Sequence, residues 1–117
     1  MTPYERLDAW NAAHQMVLMT YRVTESWPQR ELYGLTSQTR RAAFSVAANI
    51  AEGSAKKGPR EFRRFLDIAM GSFAELRYAL RVAHDLGILP EADMEELREP
   101  LARSGKLLWK LYKSMNH

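Results

Sequence analysis

Residues 59–86 read PREFRRFLDIAMGSFAELRYALRVAHDL, and this stretch decides the fold. Phe62, Phe65 or Leu66, Ala69, Phe73, Leu76, Leu80 and Ala83 recur at spacings of three and four. That spacing puts them on one face of a helix in a heptad-like seam. Gly58-Pro59 suits the start, because proline in the first turn gives up only a donor that has no helical partner. Gly87 suits a left-handed cap at the end. The pattern predicts a helix from about Pro59 to Leu86. Gly71, in its middle, costs ~1 kcal/mol relative to alanine, which predicts close contact with another helix there.

Working outward, three further segments carry the same period. Trp27-Pro28 closes the first, the run Gly53 to Pro59 separates the second from the third, and Gly87 to Pro90 precedes the fourth. The first predicted helix runs from Pro3 or Tyr4 to Ser26, with Leu7, Trp10, Ala13 or His14, Val17, Tyr21 and Thr24 as its buried stripe. Ala12, Met16, Met19 and Val23 form a second stripe, read as surplus apolar surface for a partner. The second helix, Leu35 to Glu52, is rich in alanine and serine, which lets helix axes approach closely. The fourth, Glu91 to Met115, turns Met94, Leu97, Leu101, Leu108, Leu111 and Met115 inward. Its first half is acidic and its second half basic, an order that complements the helix dipole. Pro100 should kink or split it. No segment alternates with period two. Short links make neighbouring helices antiparallel. The expected fold is all-α, an antiparallel up-and-down four-helix bundle forming a single domain over residues 1–117.

Composition narrows the function. The 117 residues are 46% hydrophobic, enough for one packed core. Cysteine is absent, which removes disulfides, thiolate ligands and cysteine nucleophiles. Charges at Glu5, Arg6 and Asp8 interrupt any signal-peptide apolar region, and no run approaches the ~20 apolar residues of a membrane span. A soluble, cytoplasmic protein is expected. The net charge is only +3, but Arg40 to Arg64 holds seven basic residues against two acidic ones.

Few constellations could carry chemistry. The three histidines, His14, His84 and His117, are preceded three residues earlier by Asn11, Arg81 and Ser114. The Glu-x-x-His pair of di-iron bundles is therefore missing, and no HExxH, P-loop, GxGxxG or GxSxG occurs. His14 and His84 read as structural or surface residues, and the acidic run of the fourth helix as a solvated face. No catalytic residue, metal site or cofactor is expected. Gln38, Arg41, Ser45, Asn49 and Glu52 fall in one polar row on the second helix. With Arg41 bridging Glu75 of the third helix, or Glu52 of a neighbour, the row reads as a structural network or interface; a nucleic-acid contact is the alternative. Lys56, Lys57, Arg60, Arg63 and Arg64 gather at the turn between the second and third helices. They read either as a solubility feature or as a phosphate-contacting patch.

Gly34-Leu35-Thr36-Ser37-Gln38-Thr39-Arg40-Arg41-Ala42-Ala43, continuing Ser45-Val46-Ala47-Ala48-Asn49-Ile50-Ala51-Glu52-Gly53, resembles the hallmark of the four-helix bundle proteins encoded within 23S rRNA intervening sequences. Glu61-Phe62, Phe65-Leu66, Ala69, Gly71-Ser72 and Glu75-Leu76 are similar to that family's second motif. Leu7, Trp10, Tyr21, Trp27-Pro28 and Glu31 match upstream. The resemblance covers residues 7 to about 87, and the fourth helix is generic. It implies a left-handed bundle assembled as a ring-shaped homopentamer, with no enzymatic activity. The accessory variability proteins of diversity-generating retroelements look similar, which implies nucleic acid and a reverse transcriptase as partners. Ala47 replaces a proline often seen in the family, and Pro100 departs from its pattern. Two functions compete on this reading. One is a non-enzymatic oligomer binding RNA or DNA through the basic turn, and the other is a protein-interaction scaffold.

Overall fold

A computed structural model describes residues 2–115; Met1, Asn116 and His117, the third histidine, lie outside the described residues. Four long helices carry the chain: α1 (Asp8–Thr24), α2 (Ser37–Ser54), α3 (Gly58–Asp85) and α4 (Glu91–Ser114). A 3-10 turn (Pro3–Arg6) precedes α1, and a second (Gln29–Glu31) leads through a wide π-type turn (Leu32–Thr36) into α2. No strand occurs among the described residues, so the fold is all-α. At 1.5 Å per residue the 28 residues of α3 span ~42 Å. That length accounts for the 44 Å long axis of the molecule, against 26 and 24 Å across it.

The helices pack in a closed circuit. α2 meets α3 most extensively, α1 meets both α2 and α4, and α3 meets α4, while the diagonal pairs barely touch. The core has two lobes, and α3 runs through both. Met16, Val23, Trp27, Leu76, Leu80, Leu89 and Leu97 fill one. Ala13, Val46, Ile50, Leu66, Phe73 and Leu108 fill the other. The seam expected on α3 is the one buried, at Phe65, Leu66, Ala69, Phe73, Leu76, Leu80 and Ala83. Truncating a fully enclosed leucine such as Leu66 or Leu80 to alanine costs ~2–5 kcal/mol in a core of this kind.

The link between α3 and α4 follows from one residue. Gly87 has φ +75°, a conformation that side chains with a Cβ disfavour. There its N–H donates to the His84 carbonyl at 3.0 Å, while Ile88 N–H donates to the Ala83 carbonyl at 2.8 Å. These two bonds form a Schellman motif and satisfy carbonyls the helix end would leave bare. The chain then turns through Ile88, Leu89 and Pro90 into α4. Across the turn the His84 Nε2 contacts the Glu91 carboxylate.

Three expectations are corrected, and of the two readings of Pro100 one is removed. The face α1 buries is Ala9, Ala13, Met16, Thr20, Val23 and Thr24. Met16 and Val23, read as surplus, are core, whereas Tyr21 is exposed. Both stripes are apolar, so period alone could not rank them; the small Ala9 and Ala13 permit close packing against α2 and α4. Pro100 does not split α4, which is helical from Glu91 to Ser114. The carbonyl it deprives of a donor is that of Glu96, an exposed residue whose backbone water can reach. α1 begins at Asp8, not at Pro3, because Leu7 is extended (φ −92°, ψ 124°). Lastly, Gly71 touches nothing: a Cβ there would find no atom within 4 Å.

The tight glycine between α2 and α3 is Gly53. A Cβ there would lie 2.8 Å from Phe65 Cβ, 2.9 Å from Phe62 Cδ1 and 3.3 Å from the Phe62 carbonyl oxygen. Two of those atoms are fixed by the α3 backbone and cannot swing away. Gly53→Ala should therefore lower stability by ~1–3 kcal/mol. Gly71→Ala should raise it by ~1 kcal/mol, since helix propensity improves and space is free. Urea denaturation of the two variants beside the parent checks both signs.

Candidate nucleic-acid interface

The basic turn is built by the closure of α2 on α3. α2 ends at Ser54, Gly58 turns the chain with φ +82°, and Pro59 opens α3. Lys56, Lys57 and Arg60 are exposed there and take part in no ion pair among the described residues. Lys56 Nζ lies 5.3 Å from the centre of the Phe65 ring, an attraction that leaves the ammonium wet.

The other two arginines differ. Arg64 Nη2 is 3.2 Å from Glu61 Oε1, one turn back on the same helix, and its guanidinium also covers Phe65 at 4.6 Å. Exposed pairs of this kind contribute little to stability, but Glu61 competes with a ligand phosphate for Arg64. Arg63 does not point to solvent as the others do. Its guanidinium lies 4.6 Å over the ring of Tyr112 on α4, and its Nε is buried with no hydrogen-bond partner. It clasps α3 to α4, and the patch has three unencumbered cations where sequence spacing counted five.

The contact with Tyr112 brings new charge to this end. Because Arg63 opens α3 and Tyr112 closes α4, the basic second half of α4 lies beside the turn. Lys110 and Lys113 are exposed there, and Lys106 is exposed further along α4, beside Phe73 and Arg77. In the sequence their place in the second half of the helix shows as a complement to the helix dipole, and the fold sets Lys110 and Lys113 beside the turn as well. The acidic half of α4 lies at the opposite end, where Arg81 Nε donates to Asp85 Oδ2 at 2.9 Å. That hydrogen bond holds the Asp85 carboxyl below the ordinary aspartate range. The molecule is thus electrically bipolar along its long axis.

The polar row of α2 lines a second feature. Gln38, Arg41, Ser45, Asn49, Glu52 and Glu75 all border one open groove of about 670 Å³, together with Tyr21, Arg40 and Phe44. Within it Ser45 and Ser72 share a hydrogen bond of 2.7 Å between α2 and α3. Asn49 Nδ2 donates to the Ser45 carbonyl at 2.8 Å and to its hydroxyl at 3.0 Å. Within the chain, Arg41 does not bridge to Glu75. Arg41, Glu52 and Glu75 are exposed, and Arg41 has no carboxylate within 4.0 Å among the described residues. The inter-helix register is held instead by Ser72, which the row's spacing on one helix could not reveal. Arg40, its neighbour, is the arginine that engages. Its Nε donates to Thr24 Oγ1 at 2.8 Å and its guanidinium lies 4.8 Å from the Tyr21 ring.

No group of three metal-ligating side chains occurs among the described residues, and no described helix is long and apolar enough to cross a membrane. Fold and surface together define a four-helix bundle with one basic end and an open polar groove. The chain belongs to the 23S rRNA-intervening sequence protein family, whose model matches residues 5–110. That match runs well into α4, beyond the point near residue 87 where the recognisable motifs stop. No curated protein matches the chain at a significant level.

Arg41→Ala should shift stability by no more than ~0.5 kcal/mol, as for a solvated surface residue. Arg63→Ala should cost ~1 kcal/mol through the lost stacking on Tyr112. Thermal melts of both variants distinguish the clasp from the free side chain.

Proposed function

We propose that this chain is a non-enzymatic, antiparallel up-and-down bundle that assembles with copies of itself and binds RNA or DNA through its basic end. The carrying observation is that Lys56, Lys57 and Arg60 stand exposed together at one end, joined there by Lys110 and Lys113. Phosphates are the ligand such a cluster suits, since each neutralised phosphate releases condensed counterions. The cytoplasm is the setting in which such a protein meets nucleic acid, and a reverse transcriptase or similar enzyme is the partner it would assist. The antiparallel reading is supported by the contacts of Gly53 with Phe62 and Phe65, of Arg63 with Tyr112 and of His84 with Glu91.

Self-assembly, with a pentameric ring as the favoured form, is supported by large side chains left in water. Phe44 on α2 is 62% exposed and Tyr78 on α3 is 71% exposed. Gly71, with no neighbour of its own, lies between Ile68 and Ala74 on the same helix, and all three are exposed. Copies around an axis would repeat the basic end and raise affinity for a polyanion by multivalency. The same exposed aromatics favour the competing reading, a protein-interaction scaffold.

Binding of labelled RNA and DNA across a salt series separates the two. The logarithm of affinity should fall linearly with that of salt, by ~0.7–0.9 per phosphate contacted. Changing Lys56, Lys57 and Arg60 together to serine should flatten that slope by up to ~3 contacts while leaving helical content unchanged. A parent protein with no salt-sensitive binding would leave the scaffold reading. Light scattering at tens of micromolar should give several times the monomer mass, and a monomer would refute self-assembly.

A further inference from the structure

We propose that the seam between α3 and α4 is a track for single-stranded nucleic acid, with Trp109 as its base-stacking platform. The proposal rests on the nucleic-acid reading above and names the form of ligand and the surface that takes it.

The seam consists of three shallow depressions in line. The first borders Arg60, Arg63 and Arg64 and includes Tyr112. The second contains Arg77, Lys106 and Trp109. The third shares Arg77, Leu101 and Ala102 with the second and adds Arg81 and Arg98. Trp109 and Tyr112 join the first two, with ring centres 5.7 Å apart and planes inclined by 22°. Seven cations and two carboxylates, Glu61 and Asp67, border the three depressions. Glu61 is already paired with Arg64, as Arg81 is with Asp85 and Arg98 with Glu95. The net field along the seam is therefore positive, with Arg77 and Lys106 unpaired among the described residues at its centre. From Arg60 to Arg81 the row extends on the order of 30 Å along α3.

Trp109 is left half in water beside the seam. It is 48% exposed, although the bundle buries Trp27 almost completely. Lys113 Nζ lies 5.6 Å from its ring centre, so a cation already flanks the aromatic face. The helix beneath is held close: a Cβ at Gly105 would lie 2.8 Å from Phe73 Cε2. The Phe73 ring thus packs directly against the α4 backbone at the centre of the seam. Aromatic rings interleaved with cations suit unpaired bases, whose flat faces stack while phosphates meet the cations. A duplex keeps its base faces covered, offers only phosphates, and would leave the indole in water. Charge complementarity favours a polyanion, and the exposed ring favours a single strand over a duplex.

The test is fluorescence anisotropy with one mixed-sequence oligonucleotide as single-stranded RNA, as single-stranded DNA and as DNA annealed to its complement. Both single strands should bind more tightly than the duplex, and the tighter of the two identifies the source. Trp109→Ala should weaken single-strand binding by ~5- to 150-fold, the measured range for losing one stacked base. It should leave duplex binding and the salt slope unchanged, because stacking releases no counterions. Trp109→Phe, which keeps a stacking face and a similar fold, should retain most of the affinity. The seam is refuted if Trp109→Ala binds single strands like the parent while the Lys56, Lys57 and Arg60 triple variant is still weakened. In that case the basic end stands without it. Absence of binding to all three oligonucleotides overturns the nucleic-acid reading itself, and the seam with it.

Discussion

The close approach of α2 to α3 at Gly53 is the constraint on which the remaining architecture depends. With Phe62 and Phe65 pressed against a residue that has no side chain, the two axes converge at the turn. Ala42, Ala43, Val46, Ala47 and Ile50 can then bury along α3. This contact is the most extensive in the molecule, and it sets the platform on which α1 and α4 lie. The same convergence sets the turn so short that Lys56, Lys57 and Arg60 are pushed outward together. Fold and charge cluster share one cause. Small residues at the contact force large and charged ones to its rim.

Much of this was legible in the sequence, for reasons particular residues make plain. The α3 seam could be read because its apolar positions keep period over about six turns and lie between a Gly-Pro start and a glycine cap. Gly87 could be read as a cap because few residues tolerate the left-handed conformation it adopts. α1 was harder. Its two apolar stripes lie side by side, and only packing against α2 and α4 decides that Met16 faces in and Tyr21 out. The expectation of close contact at Gly71 fails for a similar reason, and the close contact lies at Gly53. A glycine's value depends on what stands opposite, and a single chain does not show its opposite face.

The candidate site was legible in composition and less so in geometry. Lys56, Lys57 and Arg60 stand free as their place at a turn suggested, but Arg63 is spent on Tyr112, 49 positions away. The row on α2 was visible as a row, yet the hydroxyl that anchors it, Ser72, belongs to another helix. Arg41, the residue with most donors, remains outside that network, while Arg40 is drawn onto Tyr21 and Thr24. Two adjacent arginines on a helix point about 100° apart, so one can face a neighbour while the other faces water. Period identifies a face; the identity of the partner comes only from tertiary packing.

The opposed charges at the two ends have a consequence for how the molecule is sensed from outside. Its long axis is 44 Å, whereas the Debye length in physiological salt is about 8 Å. The basic pole and the acidic pole are therefore separated by several screening lengths and do not cancel each other. A polyanion arriving at the basic end meets a cationic surface and little trace of the carboxylates beyond. The near-neutral total thus conceals a particle that behaves as a cation at one tip and an anion at the other. At low ionic strength the screening cloud widens, each tip begins to feel the far one, and the two poles act as a single macroscopic dipole that aligns before contact.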